Sequence, residues 1–241
     1  MKAMRRLRAI IVSLLVVCCA LPVLAQGGQT QLSPLMARER AYYEGVFKQR
    51  VENGWDRFTV SWRIGEHPEI LVVVPHGKRI EHNTRAIGDR IARRLGASLY
   101  VFEADAGRDD LKVRPAWTEG GHPLHITATL LRAPQLGDML RAATVCIAVH
   151  GIAEKTERTE VGGCDRALRE AAIRELQAAG FAANTAAGRV AGVSPANFVN
   201  RSAGGRGLQL EIGLDLRKTG NQAAWDRYAE AVAAAIRRSY P

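Results

Sequence analysis

The chain has 241 residues, 47% of them hydrophobic and 24% charged, which excludes a disordered or collagen-like polymer and suits one large globular domain or two small ones. The formal charge of +10 overstates how basic the folded part is. Four of the 34 basic residues, Lys2, Arg5, Arg6 and Arg8, precede an almost unbroken apolar run from Ala9 to Ala25, so the remainder carries 30 basic against 24 acidic side chains, or +6. That is mild for a nucleic-acid binder, and no stacked aromatic pattern accompanies the basic residues, so nucleic acid is not an expected partner.

Residues 1–25 have the form of a signal peptide: a basic start, an apolar centre short for a bilayer span, and the small-residue pattern Val23-Leu24-Ala25 before Gln26. The expectation is a chain exported to the periplasm or secreted, without a stable membrane anchor, with a leader and helix over 26–55 and an α/β domain over 56–241. Cys18 and Cys19 fall in the leader, leaving Cys146 and Cys164. In an oxidising compartment these two can pair; Cys146, inside the apolar run Val145 to Val149, reads equally well as a small buried hydrophobe.

A polar stretch leads into a helical pattern from Pro34 to Gln49. Phe58, Val60, Trp62 and Ile64 then alternate with polar residues, as in a half-buried strand. The run Ile70 to Val74 is the kind of strand covered on both faces. Asn83 or Thr84 can cap a helix carrying Ile87, Ile91 and Leu95, with Gly96 suited to end it, and a strand from Ser98 to Glu103 follows. Strand, helix, strand in this order implies a parallel pair with a crossover helix.

A loop rich in Gly, Asp, Arg and Pro runs from Ala104 to Gly121, and Leu124 to Leu130 alternates again, predicting another strand. Ala143 to His150 is a further buried strand. Asp165 can cap a helix through Ala179 that stops at Gly180, Leu208 to Ile212 is a last strand, and Gln222 to Arg238 is an amphipathic helix carrying Tyr228, Val232 and Ile236. The predicted fold is a single α/β domain with a mixed, mostly parallel sheet flanked by helices.

Open α/β sheets place ligands beyond the carboxyl ends of their strands. Val74 is followed by Pro75-His76-Gly77-Lys78-Arg79-Ile80-Glu81, and Val149 by His150-Gly151. A histidine directly after a β-branched run, with glycine beside it, can reach a metal while the backbone turns away. His76, Glu81 and His150 supply two imidazoles and a carboxylate, the ligand set of several catalytic zinc hydrolases, in which a fourth position stays open for water. Glu211, in Leu-Gln-Leu-Glu-Ile, is placed to act as general base toward that water. His125, beside Thr127, faces either the site or solvent, and a substrate-orienting role is open to it. No nucleophile elbow, phosphate-binding loop or dinucleotide fingerprint is present in the sequence.

Seven segments carry a more specific signal: Val-Pro-His-Gly-Lys-Arg-Ile-Glu (74–81), Ser-Leu-Tyr-Val-Phe-Glu (98–103), Leu-His-Ile-Thr-Ala-Thr (124–129), Ile-Ala-Val-His-Gly (147–151), Val-Gly-Gly-Cys-Asp (161–165), Asn-Phe-Val-Asn-Arg (197–201) and Leu-Gln-Leu-Glu-Ile (208–212). In this order they resemble phage and bacterial poly-γ-glutamate hydrolases over about residues 70–217. The resemblance implies a zinc carboxypeptidase-like fold, zinc bound by His76, Glu81 and His150, water attack promoted by Glu211, and a γ-linked glutamate polymer or γ-glutamyl peptide as partner. Arg201 and Arg217, at family-like positions flanking the Glu211 strand, would hold a substrate carboxylate. Lys78 and Arg79 stand where the family usually has glycines, Arg132-Ala133-Pro134 replaces an Asp-Glu-Pro-like sequence, and Gly213 replaces a Ser. The metal positions are kept. Two other readings stay open: a zinc amidase acting on peptidoglycan stem peptides, and an exported non-catalytic binder of acidic polymers, which would not need Glu211.

Overall fold

The computed structural model describes residues 33–47, 58–104, 124–218, 220 and 222–240; the expected signal peptide and most of the loop beyond Ala104 lie outside them. Seven strands form one mixed sheet: β1 (Phe58–Arg63), β2 (His67–Lys78), β3 (Ala97–Ala104), β4 (Val145–Gly151), β5 (Thr159–Gly162), β6 (Ala183–Thr185) and β7 (Arg206–Ile212), in spatial order β1-β3-β2-β4-β7-β5-β6. The four central strands β3, β2, β4 and β7 run parallel, β1 is antiparallel to β3, and β5 is antiparallel to β7. The helices are α1 (Pro34–Phe47), α2 (Thr84–Arg94), α3 (Pro134–Ala142), α4 (Arg166–Ala178), α5 (Leu214–Lys218) and α6 (Gln222–Ser239).

Leu71, Val72, Val73 and Val74 are all buried because β2 is covered on both faces. Val72, Val74, Ile147, Val149, Leu208 and Leu210 pack with α2, α4 and α6, whereas Leu71, Val73, Cys146 and Ala148 pack with α1, α3 and residues 124–133. Each such Val or Leu contributes about 1.5–3 kcal/mol by leaving water. From β2 the chain goes to β3 on one side and later to β4 on the other. The carboxyl ends of β2 and β4 therefore flank a topological switch point, where such sheets open a crevice.

Several sequence expectations are met in detail. Asp165 accepts the Leu168 N–H at the start of α4, and Gly96 and Gly180 adopt left-handed backbone at the ends of α2 and α4. Others need correction. Asn83 sits at the N-cap of α2, but its φ of 63° turns the side chain away from the helix, and its amide donates to the Arg217 carbonyl at 2.6 Å. Leu124 to Leu130, where burial alternates only from Leu124 to Thr127 and Leu130 is exposed, is no strand. Its polar backbone is used elsewhere: Ile126 O faces a His76 nitrogen, Ala128 O accepts from Phe198 N, and Leu130 N closes a turn on Thr127 O. Cys146 and Cys164 are both free, Cys146 buried and Cys164 exposed, so the pairing alternative is not realised.

Inside the α1/α3 side lies a fully buried carboxylate. Glu39 of α1 accepts the Tyr100 hydroxyl at 2.7 Å and the Gln135 N–H at 2.8 Å, and Tyr100 in turn meets Tyr43 at 2.7 Å. Burial raises the Glu39 carboxyl above its ordinary value despite these bonds. The folded chain thus holds this proton more tightly than the unfolded chain. The Glu39 contribution is most favourable in acid and declines as pH rises from about 4.3 through the raised folded value. Glu39→Gln keeps one acceptor and one donor for the same partners without the charge. The melting-temperature difference, parent minus variant, should shift in the parent's favour on acidification from pH 7 toward pH 5, and an unchanged difference would contradict this assignment.

Candidate metal and catalytic site

The end of β2 is shaped by Pro75 and Gly77. The β2–β3 register shifts between Val74 and Gly77, a bulge that re-aims His76, and a Cβ on Gly77 would come 2.7 Å from Glu103 Cγ. Beyond Lys78 the chain folds back, with Glu81 N donating to His76 O at 3.0 Å and Thr84 Oγ1 to Glu81 O at 2.8 Å as α2 begins. This tight return brings the Glu81 carboxylate under His76. Glu81 Oε1 lies 2.9 Å from His76 Nδ1, while Oε2 accepts the Gly151 N–H at 2.8 Å and so ties the β2 turn to the end of β4.

His150 ends β4 and is the register partner of Glu211 on β7, so the two share one face of adjacent parallel strands. His150 Nδ1 is 3.2 Å from His76 Nδ1 and 3.9 Å from Glu81 Oε1. His76 Nε2 lies 2.9 Å from Ile126 O, which can only accept, so Nε2 carries the proton and Nδ1 presents a lone pair toward Glu81 and His150. Three acceptor-type atoms converge and require a cation or a proton between them. His150 Nε2, the other ring nitrogen, is buried with no hydrogen-bond partner among the described residues.

The spacing fits zinc. Tetrahedral bonds of about 2.0–2.2 Å put neighbouring ligand atoms about 3.3–3.6 Å apart, and the observed separations of 2.9, 3.2 and 3.9 Å bracket that range. His125 also approaches, with Nε2 3.7 Å from Glu81 Oε1 and its ring centroid 4.0 Å from that of His76, so His76, Glu81 and His125 form an alternative trio of donors. His150 is fixed by a buried strand, with its side chain only 6% exposed against 31% for His125, which stands at the rim.

Electrostatics separates the two carboxylates. Burial opposes ionisation of Glu81, yet His76 and His150 hold its carboxyl well below the usual carboxylate range. Burial raises Glu211, the Glu81 charge adds to the rise, and His150 and His76 only partly offset it. Burial also works against a charged His150, but the Glu211 and Glu81 carboxylates outweigh it. One carboxylate is thus kept ionised and the other inclined to take a proton, the pattern by which ligand and acid–base roles divide.

Two polar residues that the sequence reading passed over support Glu211. Gln209 Nε2 donates to Glu211 Oε1 at 2.8 Å, and Asn197 Nδ2 donates to Gln209 Oε1 at 2.8 Å, all three being buried. The signal was present: Gln209 and Glu211 are two residues apart on a strand and so share its polar face, opposite Leu208, Leu210 and Ile212.

The two arginines lie in different places. Arg217 is buried beneath the site and donates to Ile212 O, His82 O and Ile152 O at 2.9, 2.8 and 2.7 Å. A Cβ at Gly151 would overlap its guanidinium. Arg201 instead lies on the α1/α3 side, donating to Leu131 O at 2.8 Å and lining a cavity with Arg38 and Arg132. Because Arg217 fixes the segments flanking Glu81 and His150, Arg217→Met should strand three carbonyls and lower the melting temperature by roughly 5–10 °C. It should also weaken zinc binding about 10–100-fold in a competition titration, the scale for losing a residue that orients ligands. Unchanged zinc affinity in the folded variant would remove Arg217 from that role.

Comparison with known proteins agrees with this architecture. Residues 48–227 match the family model described as poly-gamma-glutamate hydrolase. The chain is 32% identical over 151 residues to the SPbeta prophage-derived UPF0714 protein YoqZ of Bacillus subtilis strain 168, covering 62% of this chain and 50% of that one. It is 34% identical over 152 residues to YndL of the same organism, covering 62% and 55%. The chain thus spans about half the length of the curated relatives it matches. Among solved structures, a bacteriophage poly-gamma-glutamate hydrolase superposes with a TM-score of 0.68 at 26% identity, covering 82% of this chain and 95% of that one. The zinc-free apo form of YndL superposes with a TM-score of 0.65 at 28% identity, covering 81% and 96%. The chain belongs to the poly-gamma-glutamate hydrolase family.

Proposed function

We propose that the chain is a zinc-dependent hydrolase of γ-glutamyl amide bonds, with poly-γ-glutamate as substrate. The observation that carries this reading is the convergence of His76, Glu81 and His150 at the β2/β4 switch point with Glu211 in register beside them. The existence of a zinc-free form of the related YndL supports zinc as the metal. Export, read from the basic and apolar pattern of residues 1–25, fits a polymer substrate met outside the cytoplasm.

His76 Nδ1, Glu81 Oε1 and His150 Nδ1 would hold the zinc, with His125 at the rim able to orient substrate. Bound zinc supplies Lewis acidity, polarising the scissile carbonyl and making water acidic near neutral pH. The chain's own part is proton movement and positioning. Gln209 holds one Glu211 oxygen, leaving the other to accept a proton from the attacking water and to deliver it to the departing amine nitrogen. Its raised proton affinity makes Glu211 a stronger base than an exposed carboxylate. Arg217, with its donors committed to backbone carbonyls, acts by holding the turns on which Glu81 and His150 sit.

Glu211→Gln should retain zinc and bind γ-linked glutamate chains, but hydrolyse them roughly 10²-fold or more slowly. Chain shortening, zinc content and melting temperature measured on the same preparations check this. A folded, zinc-loaded variant that cleaves as fast as the parent would contradict the assigned mechanism. A parent that cleaves γ-glutamyl stem peptides and leaves the polymer intact would move the substrate to peptidoglycan, and binding without hydrolysis by the parent would make the chain a binding module.

A further inference from the structure

Away from the His76 cluster, a cavity of about 300 Å³ opens between α1, α3 and the segment around residue 201, lined in part by Arg38, Arg132, Asp138, Arg141 and Arg201. Four guanidinium groups face one carboxylate there. Asp138 is shared between Arg141 and Arg38, the latter at 3.7 Å. Arg132 donates to Leu131 O at 3.0 Å and Ala196 O at 3.2 Å, and Arg201 donates to Leu131 O at 2.8 Å. These carbonyls orient the two guanidinium groups without neutralising them. Among the described residues the buried Arg201 Nε has no hydrogen-bond partner, and the groups that act on Arg201 electrically, Arg132, Cys146 and Tyr42, include no carboxylate. Arg38, Arg132 and Arg141 are exposed and Arg201 is partly buried, with Asp138 shared by Arg38 and Arg141; such a cluster of guanidinium groups with an excess of positive charge can take an incoming carboxylate in bidentate hydrogen bonds.

The position of the cavity relates it to the cleavage point. Arg201 lies three residues beyond Phe198, whose ring centroid is 6.3 Å from that of His150. Three residues span at most about 10 Å, so the cavity lies on the order of 10–15 Å from His150. In a γ-linked glutamate chain every unit keeps its α-carboxylate free. Each unit adds five main-chain bonds, or roughly 6 Å when extended. The cavity therefore stands about two units from the bond to be cut.

We propose that the Arg38, Arg132 and Arg201 cavity is a remote subsite that takes α-carboxylates of a γ-linked glutamate chain about two units from the scissile bond, so that the enzyme prefers chains over dipeptides. The proposal rests on the γ-glutamyl hydrolase reading for its ligand, while the charge imbalance of the cavity stands without it. It also assigns Arg201 to binding at a distance rather than beside the metal.

The test combines direct binding with kinetics on the zinc-loaded protein. Calorimetry with γ-linked tetraglutamate in the zinc-loaded Glu211→Gln background, which should bind the chain with little cleavage, should show an affinity loss of roughly tenfold or more for added Arg38→Gln/Arg132→Gln, and a gain for added Asp138→Asn, which removes the only acid lining the cavity among the described residues. In parallel, KM for long poly-γ-glutamate should rise in the double variant with little change in kcat, while γ-glutamylglutamate kinetics stay as in the parent. If the double variant does not fold, Asp138→Asn and Arg141→Gln carry the test, with opposite effects on affinity. Tetraglutamate affinity that is undetectable, or the same in folded variants and parent, overturns the subsite. Polymer cleavage with arginine-independent affinity removes the subsite and leaves the hydrolase reading intact. Arginine-dependent tetraglutamate binding without hydrolysis of any γ-linked substrate keeps the subsite and removes the hydrolase reading.

Discussion

The Glu81 carboxylate is shared between two strand ends. One oxygen lies against His76 and the other accepts the Gly151 N–H, so a single side chain fixes the separation of the β2 and β4 termini across the switch point. The neighbouring atoms depend on that bridge. With β4 held at this distance, His150 comes to 3.2 Å from His76, and its register partner Glu211 comes alongside on β7. A buried carboxylate in this position is costly unless compensated, and the compensation comes from the two imidazoles that the bridge itself brings close. The proposed metal would take the place of that mutual support.

The surrounding structure makes the bridge rigid. One face of the central strands is packed mainly with branched aliphatic side chains and the other with Leu71 and Val73 together with Tyr100, Phe102, Cys146 and Ala148, which leaves little freedom for the strand ends to separate. Arg217 closes the arrangement from below, and it can approach only because Gly151 has no side chain. From the Glu211 side, the Asn197–Gln209 chain aims one carboxylate oxygen. The site is thus preorganised by packed strands, the Glu81 bridge, the Arg217 guanidinium and the neutral amides of Gln209 and Asn197.

Much of this was legible in the sequence because it depends on local pattern. Buried β-branched runs ending in His-Gly marked both strand termini, and Asp165, Gly96 and Gly180 marked helix ends by well-understood backbone preferences. Short elements were less legible. β5 and β6 have four and three residues and owe their form to pairing with strands distant in sequence. α3 was passed over although Pro134 at its first turn and Leu136, Met139 and Leu140 at helical spacing announce it. The alternation of Leu124 to Leu130 misled because an irregular segment draped over a core can bury Leu124 and Ile126 while its carbonyls serve His76 and Phe198. The separation of Arg217 from Arg201 is a three-dimensional fact with no local signal: one lies under the site with every guanidinium nitrogen bonded, the other on the α1/α3 side bonded to Leu131 O.

The proposed metal ligands are His76, Glu81 and His150, and His76, Glu81 and His125 form the competing trio. Anomalous diffraction at the zinc edge on crystals of the zinc-loaded protein tests this assignment most directly. The account predicts one strong peak within about 2.0–2.2 Å of His76 Nδ1, Glu81 Oε1 and His150 Nδ1, with Glu211 close by and not bonded to the metal. A peak coordinated by His125 with His150 displaced, or a stoichiometric zinc bound elsewhere on the chain, would contradict it.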